Sequence, residues 1–282
     1  MTPAKKKVSV SDLASMKGKE KIAVLTAYDY STSLICDRAG VDVLLVGDSA
    51  GMVVLGHPST VPVDMPEMLM FCGAVARGAK RAMIVGDMPF GSYQPSTSVA
   101  IENAVKFIKA GCDAVKLEGG AEIADKVKAI VDSGVPVMGH IGLKPQTTAL
   151  WEGYRLQGKT ADSAARLVTD AQALEKAGVR AIVLEMVASE VAEIITKKIS
   201  VPTIGIGSGP GCDGQVLVLH DLLGIYEDIK PRFVKRYAEL AKPILDAVSS
   251  YTQDVKAGRF PEEQNTFHMG PDELAKFRSR RK

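Results

Sequence analysis

The 282-residue sequence predicts an α/β protein whose eight parallel strands close into a (β/α)8, or TIM, barrel. Short apolar runs bounded by glycine recur along the chain, with helical periodicity between them. The junctions Ala39-Gly40-Val41, Ala110-Gly111-Cys112 and Ala177-Gly178-Val179 share one form, in which glycine ends a helix just before a strand. Several runs end on charged residues, as expected for a barrel whose chemistry lies at the carboxyl ends of its strands.

Eight segments are predicted to form the strands. Each is a short apolar run, a pattern typical of buried strands. In chain order they are Ile22–Thr26, Val43–Val46, Ala82–Val85, Ala114–Leu117, Pro136–Met138, Ala181–Leu184, Thr203–Ile206 and Gln215–Leu219. The same alternation of strands and helices allows one alternative, an open, doubly wound sheet.

Helical periodicity fills the segments between the strands. The predicted amphipathic faces are Ile101, Val105 and Ile108; Ile123, Val127, Ile130 and Val131; and Leu167, Ala171 and Leu174. A long helix is predicted after Pro231 as far as about Lys256, followed by a polar tail. No linker divides the chain, so residues 1–282 are predicted to be a single domain with a short polar N-terminal tail and a basic C-terminal tail. Their basic clusters, Lys5–Lys7 and Arg278–Lys282, are expected to be solvated.

Composition and charge exclude several classes of protein. Hydrophobic residues make up 46% of the chain, enough for a large core. A net charge of +2 gives no general electrostatic reason to bind nucleic acid or a membrane surface. No apolar run approaches the ~20 residues that span a bilayer, and the four scattered cysteines indicate reduced thiols. We therefore predict a soluble, cytoplasmic protein.

Two aspartates follow neighbouring predicted strands. Asp48 lies in Val46-Gly47-Asp48-Ser49 and Asp87 in Gly86-Asp87-Met88-Pro89. Because adjacent strands lie ~4.8 Å apart, both carboxylates are expected to converge, which is unfavourable without a proton or a cation between them. Oxygen ligands of this kind suit Mg²⁺. The alternative is that each aspartate caps a helix, although neither has a helix directly after it in the predicted pattern.

Lys116 and Glu118 are two residues apart on the fourth strand, so their side chains share one face. Inside a barrel such charges are costly unless they pair with each other or with a ligand. Glu118 is a candidate metal ligand, directly or through water, and Lys116 a candidate contact for a substrate carboxylate or enolate oxygen. Two other interpretations stay open: Lys116 as a Schiff-base nucleophile, or a purely structural pair.

Glu185 and His140 complete the candidate site. Glu185 ends an almost purely apolar strand, where desolvation would raise its pKa toward the range of a general base. A salt bridge at the barrel rim is the alternative. His140 follows the fifth strand and is a candidate substrate contact, or else a structural hydrogen-bond donor.

Taken together, several motifs resemble the ketopantoate hydroxymethyltransferase (3-methyl-2-oxobutanoate hydroxymethyltransferase) family. The resemblance extends from about Ser11 to His268 and keeps the order of the motifs. They are Thr26-Ala27-Tyr28-Asp29, Val46-Gly47-Asp48-Ser49, Gly86-Asp87-Met88-Pro89-Phe90, Val115-Lys116-Leu117-Glu118-Gly119-Gly120, Gly139-His140-Ile141-Gly142-Leu143-Lys144-Pro145-Gln146 and Gly214-Gln215-Val216-Leu217-Val218. The resemblance implies a barrel of the phosphoenolpyruvate/pyruvate type. It also implies hydroxymethyl transfer from 5,10-methylenetetrahydrofolate to 3-methyl-2-oxobutanoate, giving 2-dehydropantoate in pantothenate biosynthesis.

The same resemblance implies roles for individual positions. Those matching Asp48, Asp87 and Glu118 would bind Mg²⁺; those matching Asp48, Ser49, Asp87 and Lys116 would contact the keto acid. The position matching Glu185 would accept the proton. The resemblance also implies a homodecamer built from two pentamer rings.

Other functions remain as alternatives. Another Mg²⁺-dependent barrel aldolase or a carboxyphosphonoenolpyruvate-type lyase would share the carboxylates but need no folate. A class I aldolase would use Lys116, and a catalytically silent scaffold would gain nothing evident from inward charges.

Overall fold

Eight parallel strands form a closed barrel in which each strand pairs with its neighbour in sequence and the eighth returns to the first. The computed structural model describes residues 6–147, 153–228 and 230–280. The predicted (β/α)8 barrel is therefore confirmed, and the open sheet is wrong. The strands are β1 (Ile22–Thr26), β2 (Val43–Val46), β3 (Met83–Asp87), β4 (Ala114–Glu118), β5 (Val137–Gly142), β6 (Ala181–Glu185), β7 (Thr203–Ile206) and β8 (Gly214–Leu217).

Strand bounds differ from the prediction at the carboxyl ends. Strand β5 continues past the predicted Met138 to Gly142, so His140 lies within the strand rather than after it, and β8 ends at Leu217 rather than Leu219. Strands β3, β4 and β6 extend through Asp87, Glu118 and Glu185. The parallel pairing continues there, with Asp87 opposite Lys116 and Glu118 opposite His140. Backbone hydrogen bonds between strands do not depend on side-chain polarity. A prediction based on apolar residues alone therefore places the ends of these strands too early.

The helices surround the barrel. Glycine follows three of them where it was predicted: Gly40 (φ 90°), Gly111 (φ 105°) and Gly178 (φ 98°) all adopt the left-handed conformation. The helices are α1 (Val10–Met16), α2 (Tyr30–Ala39), α3 (Ala50–Val53), α4 (Met65–Gly78), α5 (Thr97–Lys109), α6 (Ala124–Asp132), α7 (Ala161–Ala177), α8 (Ser189–Lys198), α9 (Leu219–Leu223), α10 (Ala241–Lys256) and α11 (Pro271–Ser279).

The predicted face of α5 packs against the core but is not its most buried face. Ile101, Val105 and Ile108 are partly buried, whereas Ala100, Ala104 and Phe107 are fully buried. Both sets have the same spacing, and the inner one fits because Gly86 of β3 leaves room for the Phe107 ring. On α7 the predicted residues Leu167, Ala171 and Leu174 are all buried. On α6 the predicted Val127 and Ile130 are buried as well.

Alternation along the strands divides the core in two. Inward residues such as Val24, Val43 and Met83 fill the barrel interior, and Leu13 of α1 packs into the same cluster. Outward residues such as Leu44 pack against the helices. Near the carboxyl ends the inward positions become polar, which places a group of charges above an apolar interior.

The predicted long helix after Pro231 begins later than expected. Residues 231–240 are irregular, and α10 starts at Ala241. The amides of Tyr237 and Leu240 donate to the carbonyls of Leu222 and Leu223 at the end of α9, so they are not available to a helix. The helix ends at Lys256 as predicted, and the expected polar tail contains α11.

Near the N-terminus, Lys6 and Lys7 are exposed but pair with Asp12 and Asp113, at 3.2 and 2.6 Å. Lys5 and residues 281–282 of the predicted tails lie outside the described residues. Within the described ranges no helix is long and apolar enough to cross a membrane.

The packing of α5 on β3 generates a stability prediction. A Cβ on Gly86 would lie 2.3 Å from Phe107 Cδ1 and 3.0 Å from Cys112 Sγ. We expect Gly86→Ala to lower the free energy of unfolding by about 1–3 kcal/mol through overpacking, measured by urea denaturation. The control Gly73→Ala lies in α4, where a Cβ meets only the end of Arg77 at 3.4 Å. It should be neutral or stabilising by up to about 1 kcal/mol. Equal stability of the two variants would contradict the packing argument.

Candidate active site

The inward positions at the carboxyl ends of the strands line one cavity of ≈400 Å³. The period of two along β3, β4 and β6 places Asp87, Lys116, Glu118 and Glu185 on the inner face. His140 enters from β5. All five side chains line the cavity, together with Asp48 and Ser49 from the segment after β2. The structure therefore brings together every site residue that the sequence indicated.

A buried ion pair lies at the centre of the site. Lys116 Nζ is 2.8 Å from Asp87 Oδ1, and the two residues are 3% and 1% exposed. The contact lacks the geometry of a directed hydrogen bond, so the attraction is between the two charges. Asp48 is adjacent, because its backbone amide donates to Asp87 Oδ2 at 3.2 Å. Both aspartates line the same cavity, and the charge of Asp48 acts on the carboxyl of Asp87.

Carboxyl groups outnumber the positive charge of Lys116. Burial raises the pKa of Asp87 to about 7, opposed by Lys116 and reinforced by Asp48. Burial also raises the pKa of Glu118 well above its usual range. Lys116 keeps its proton: burial opposes its charge, but the carboxylates of Asp87, Glu118 and Asp48 together raise its pKa. Such an excess of carboxyl groups favours binding of a further cation.

Two residues that the sequence analysis did not single out connect the acids. Gln146 is fully buried, and its side-chain Nε2 donates to Asp48 Oδ2 at 2.9 Å and to the Met88 carbonyl at 3.0 Å. Its backbone amide donates to Glu118 Oε2 at 3.0 Å. The Tyr93 hydroxyl lies 2.9 Å from Gln146 Oε1 and 3.1 Å from the Glu118 carbonyl. The one sequence signal that points to Gln146 as a site residue is its place in the motif Gly139-His140-Ile141-Gly142-Leu143-Lys144-Pro145-Gln146.

His140 is a neutral link between Lys116 and Glu185. Burial and the charge of Lys116 lower the pKa of His140 well below its usual value. Lys116 Nζ lies 3.2 Å from His140 Nδ1, and an ammonium can only donate, so Nδ1 accepts. The ring proton is then on Nε2, which faces Glu185 Oε2 at 3.4 Å, too far for a strong hydrogen bond.

Glu185 is the most exposed of the four acids at the strand ends, Asp48, Asp87, Glu118 and Glu185. Its side chain is 14% exposed, against 1–2% for Glu118 and Asp87. Burial raises the pKa of Glu185 to about 7, with Lys116 acting in the opposite direction. A carboxyl with this pKa exchanges protons readily near neutral pH, as a general base must.

Ser49 reaches the cavity from the start of α3. Its Oγ makes no cap to that helix and instead lies 2.8 Å from the hydroxyl of Tyr28. Asp48 does not cap α3 through its side chain either, which accepts from Gln146. The helix-cap alternative for Asp48 is therefore wrong, although a short helix does follow.

The residues present fit a hard divalent cation. Asp87 Oδ1 and Glu118 Oε1 are buried and accept no hydrogen bond from the described residues. No cluster of three or more His, Cys, Asp and Glu side chains in the described ranges forms a ready coordination shell. Lys116 Nζ, 3.7 Å from Glu118 Oε1, lies between the acids. The arrangement suits an ion that takes one or two carboxylates and completes its shell with water and substrate, as Mg²⁺ does.

Comparison with known proteins decides the family. A family model described as ketopantoate hydroxymethyltransferase matches residues 7–263. The chain belongs to the ketopantoate hydroxymethyltransferase family. A relative from Nitrosopumilus maritimus, named 3-methyl-2-oxobutanoate hydroxymethyltransferase, is 57% identical over 271 residues, covering 96% of this chain and 97% of its own. A relative of the same name from Cenarchaeum symbiosum is 58% identical over 258 residues, covering 92% and 98%. As a member of the ketopantoate hydroxymethyltransferase family, the chain is an enzyme, a transferase.

Solved structures support the predicted type of barrel. Phosphonopyruvate hydrolase matches with a TM-score of 0.61 at 12% identity, over 97% of this chain and 96% of that chain. The 2,3-dimethylmalate lyase, a member of the PEP mutase/isocitrate lyase superfamily, matches with a TM-score of 0.56 at 13% identity, over 97% and 99%. At these identities the likeness shows the fold alone.

The position of Gln146 generates a prediction. Gln146→Leu would leave Asp48 Oδ2 and the Met88 carbonyl without their buried donor, and the Tyr93 hydroxyl would keep only the Glu118 carbonyl as acceptor. We expect the free energy of unfolding to fall by about 1–3 kcal/mol in urea denaturation. The control Gln253→Leu, at an exposed position of α10, should stay within about 0.5 kcal/mol of the unmodified chain. Unchanged stability of Gln146→Leu would show that the hydrogen bonds of Gln146 do not contribute to the free energy of unfolding.

Proposed function

We propose that the chain transfers a hydroxymethyl group from 5,10-methylenetetrahydrofolate to 3-methyl-2-oxobutanoate, giving 2-dehydropantoate. The observation that carries the proposal is the position of Glu185, a partly buried carboxyl with a pKa raised to about 7, which His140 links to the buried ion pair of Lys116 and Asp87. The names of the relatives support the same reaction.

The keto acid is proposed to bind against the polar floor of the cavity. Lys116 places a permanent positive charge where its oxygens would lie, and Ser49 offers a hydroxyl. Asp48 and Asp87 would hold Mg²⁺, with Glu118 contributing directly or through water. When bound, the ion would act as a Lewis acid that chelates a 2-oxo acid and stabilises negative charge on its keto oxygen.

Glu185 is proposed to remove the proton from C3 of the keto acid. The enolate carbon at C3 attacks the methylene carbon of the folate, and water supplies the hydroxyl oxygen. Both carbon–nitrogen bonds of that methylene carbon break, and the two folate nitrogens take one proton from the water and one from Glu185. His140 is proposed to contact the substrate and to keep its Nε2 proton toward Glu185. The Lys116 ammonium stabilises the negative charge that develops on the substrate oxygen.

The state of Lys116 argues against a Schiff-base mechanism. An amine must lose its proton before it can attack a carbonyl. Three carboxylates raise the pKa of Lys116, and the ammonium lies 2.8 Å from Asp87. The same residue is well suited to electrostatic stabilisation.

We also propose that the chain is a single domain that assembles with copies of itself, as the decamer implied by the family resemblance requires. Helix α10 supports assembly, because it buries no residue and exposes an apolar face. That face includes Ile244, Leu245, Val248 and Tyr251. A cytoplasmic location is proposed on the four free, buried thiols.

Removing the proposed base gives the first test of function. We expect Glu185→Gln to abolish deuterium exchange at C3 of 3-methyl-2-oxobutanoate, followed by NMR, while binding of the keto acid is largely kept. Exchange by the unmodified chain should rise with pH through about 7, because Glu185 accepts a proton only when ionised.

The matched control is Glu20→Gln, an exposed position far from the cavity, which should exchange normally.

The raised pKa of Glu185 also affects the pH dependence of stability, because a carboxyl whose pKa is raised by folding costs stability as pH rises. Glu185→Gln should therefore match the unmodified chain near pH 4 and exceed it in stability at pH 8. Normal exchange by this variant would remove Glu185 as the base.

Metal removal tests the carboxylate assignment. Exchange should stop in EDTA and return with Mg²⁺. Asp87→Ala should weaken binding of Mg²⁺ alone and of the keto acid, each by at least roughly tenfold in calorimetry, because it removes one of the three carboxylates proposed to hold the ion. The exposed Asp125→Asn serves as the control. Unaltered Mg²⁺ affinity of Asp87→Ala would exclude Asp87 as a ligand, and exchange that persists in EDTA would favour chemistry at Lys116.

A further inference from the structure

The cavity has a second wall that the keto acid does not need. Its floor is formed by the strand ends, but further lining residues come from the residue before α9, from α9 itself and from the irregular segment after it. We call these the loop wall: Val218, Asp221, Tyr226, Pro231, Arg232 and Phe233. A cavity of ≈400 Å³ falls within the range of pockets for drug-sized ligands. It is larger than a small keto acid on the floor requires.

The loop wall lies beside the proposed chemistry. The Phe233 ring packs over Gly207, where a Cβ would lie 2.9 Å from Phe233 Cδ1 and 3.4 Å from Met186 Cγ. Met186 directly follows Glu185 in the chain. On the other side, the charge of Asp221 acts on Tyr28, whose hydroxyl lies 2.8 Å from Ser49 Oγ. A ligand on this wall would therefore border both Glu185 and Ser49.

Asp221 is the distinctive polar group of the wall. It is partly buried, and among the described residues no hydrogen bond or ion pair is made by its carboxylate. Burial raises the pKa of Asp221, and Arg236 opposes this only through its charge. A ligand that covers this partly buried carboxylate has to supply hydrogen-bond donors in place of water.

The rest of the wall determines which ligand could do so. Aromatic and apolar side chains suit a flat ring. Arg232, exposed at the same wall, suits an anionic tail. The reduced pteridine ring of a folate carries an amino group next to a ring N–H, a pair of parallel donors that matches a carboxylate, and the folate tail ends in carboxylates.

We propose that the loop wall binds the folate co-substrate, with Asp221 accepting two hydrogen bonds from the amino-pyrimidine edge of the pteridine and Arg232 contacting the glutamate tail. This inference rests on the proposed function. It places the pteridine above the floor, so that the methylene carbon faces the C3 position that Glu185 deprotonates.

The test separates the folate site from the keto-acid site. In Asp221→Asn we expect C3 exchange without folate, and the KM for the keto acid, to stay unchanged. The KM for 5,10-methylenetetrahydrofolate and the Kd for tetrahydrofolate should rise roughly 10- to 100-fold. The matched control is Glu227→Gln, an exposed acid nearby that does not line the cavity; it should leave all four quantities unchanged.

A chemical cycle tests the contact itself. A tetrahydrofolate analogue with methyl in place of the 2-amino group should bind the unmodified chain more weakly than tetrahydrofolate. Asp221→Asn should bind the analogue and tetrahydrofolate with similar affinity, because the carboxylate that accepts from the 2-amino group is already lost. In the same way, Arg232→Gln should weaken the binding of tetrahydrofolate but not that of 6-methyltetrahydropterin, which lacks the glutamate tail.

Each contrary result has a separate meaning. An unchanged Kd for tetrahydrofolate in Asp221→Asn overturns the inference, and so does loss of C3 exchange in that variant, which would assign Asp221 to the keto-acid site or to folding. Failure of the unmodified chain to exchange C3 or to transfer the hydroxymethyl group overturns the proposed function instead. Binding of tetrahydrofolate still tests Asp221 in that case.

Discussion

The ion pair between Lys116 and Asp87 is the interaction on which the rest of the site depends. An ammonium inside a barrel is costly, and removing one partner of such a pair leaves an uncompensated buried charge. Here one ammonium is shared among Asp87 at 2.8 Å, Glu118 at 3.7 Å and the neutral ring of His140 at 3.2 Å. The position of Lys116 therefore fixes the tautomer of His140 and orients two acids at once.

Around that pair, hydrogen bonds connect loops that the barrel alone would leave independent. Gln146 follows β5, yet its side chain reaches Asp48 after β2 and Met88 after β3. Tyr93, from the connection between β3 and α5, completes the link to the backbone of Glu118. Buried networks in which each polar group has a partner confer rigidity. Asp87 Oδ1 and Glu118 Oε1 are the exceptions: they accept no hydrogen bond from the described residues, and the Lys116 ammonium lies 2.8 and 3.7 Å from them.

Much of this site could be predicted because it follows the two-residue period of strands. That period placed Lys116 and Glu118 on one face, and the spacing of neighbouring strands brought Asp48 to Asp87. Gln146 and Tyr93 lie on connections, where no period relates sequence to direction, so their contacts could not be derived. On α5 the periodicity was correct but ambiguous, and the space beside Gly86 decided which face is buried. The late start of α10 depends on bonds to α9 that no local pattern encodes.

The backbone of Met186 carries a consequence for how this barrel can be engineered. Its φ of 47° is the single positive value at a non-glycine residue in the described ranges, a conformation that costs about 1–3 kcal/mol. Bonds from its amide to Ile206 and from Gln157 to its carbonyl hold it in place. A search for thermostable variants would therefore favour glycine at this position, releasing strain. The same change would make the backbone next to Glu185 more flexible, so that thermal stability would rise while the position of the Glu185 carboxyl became less fixed.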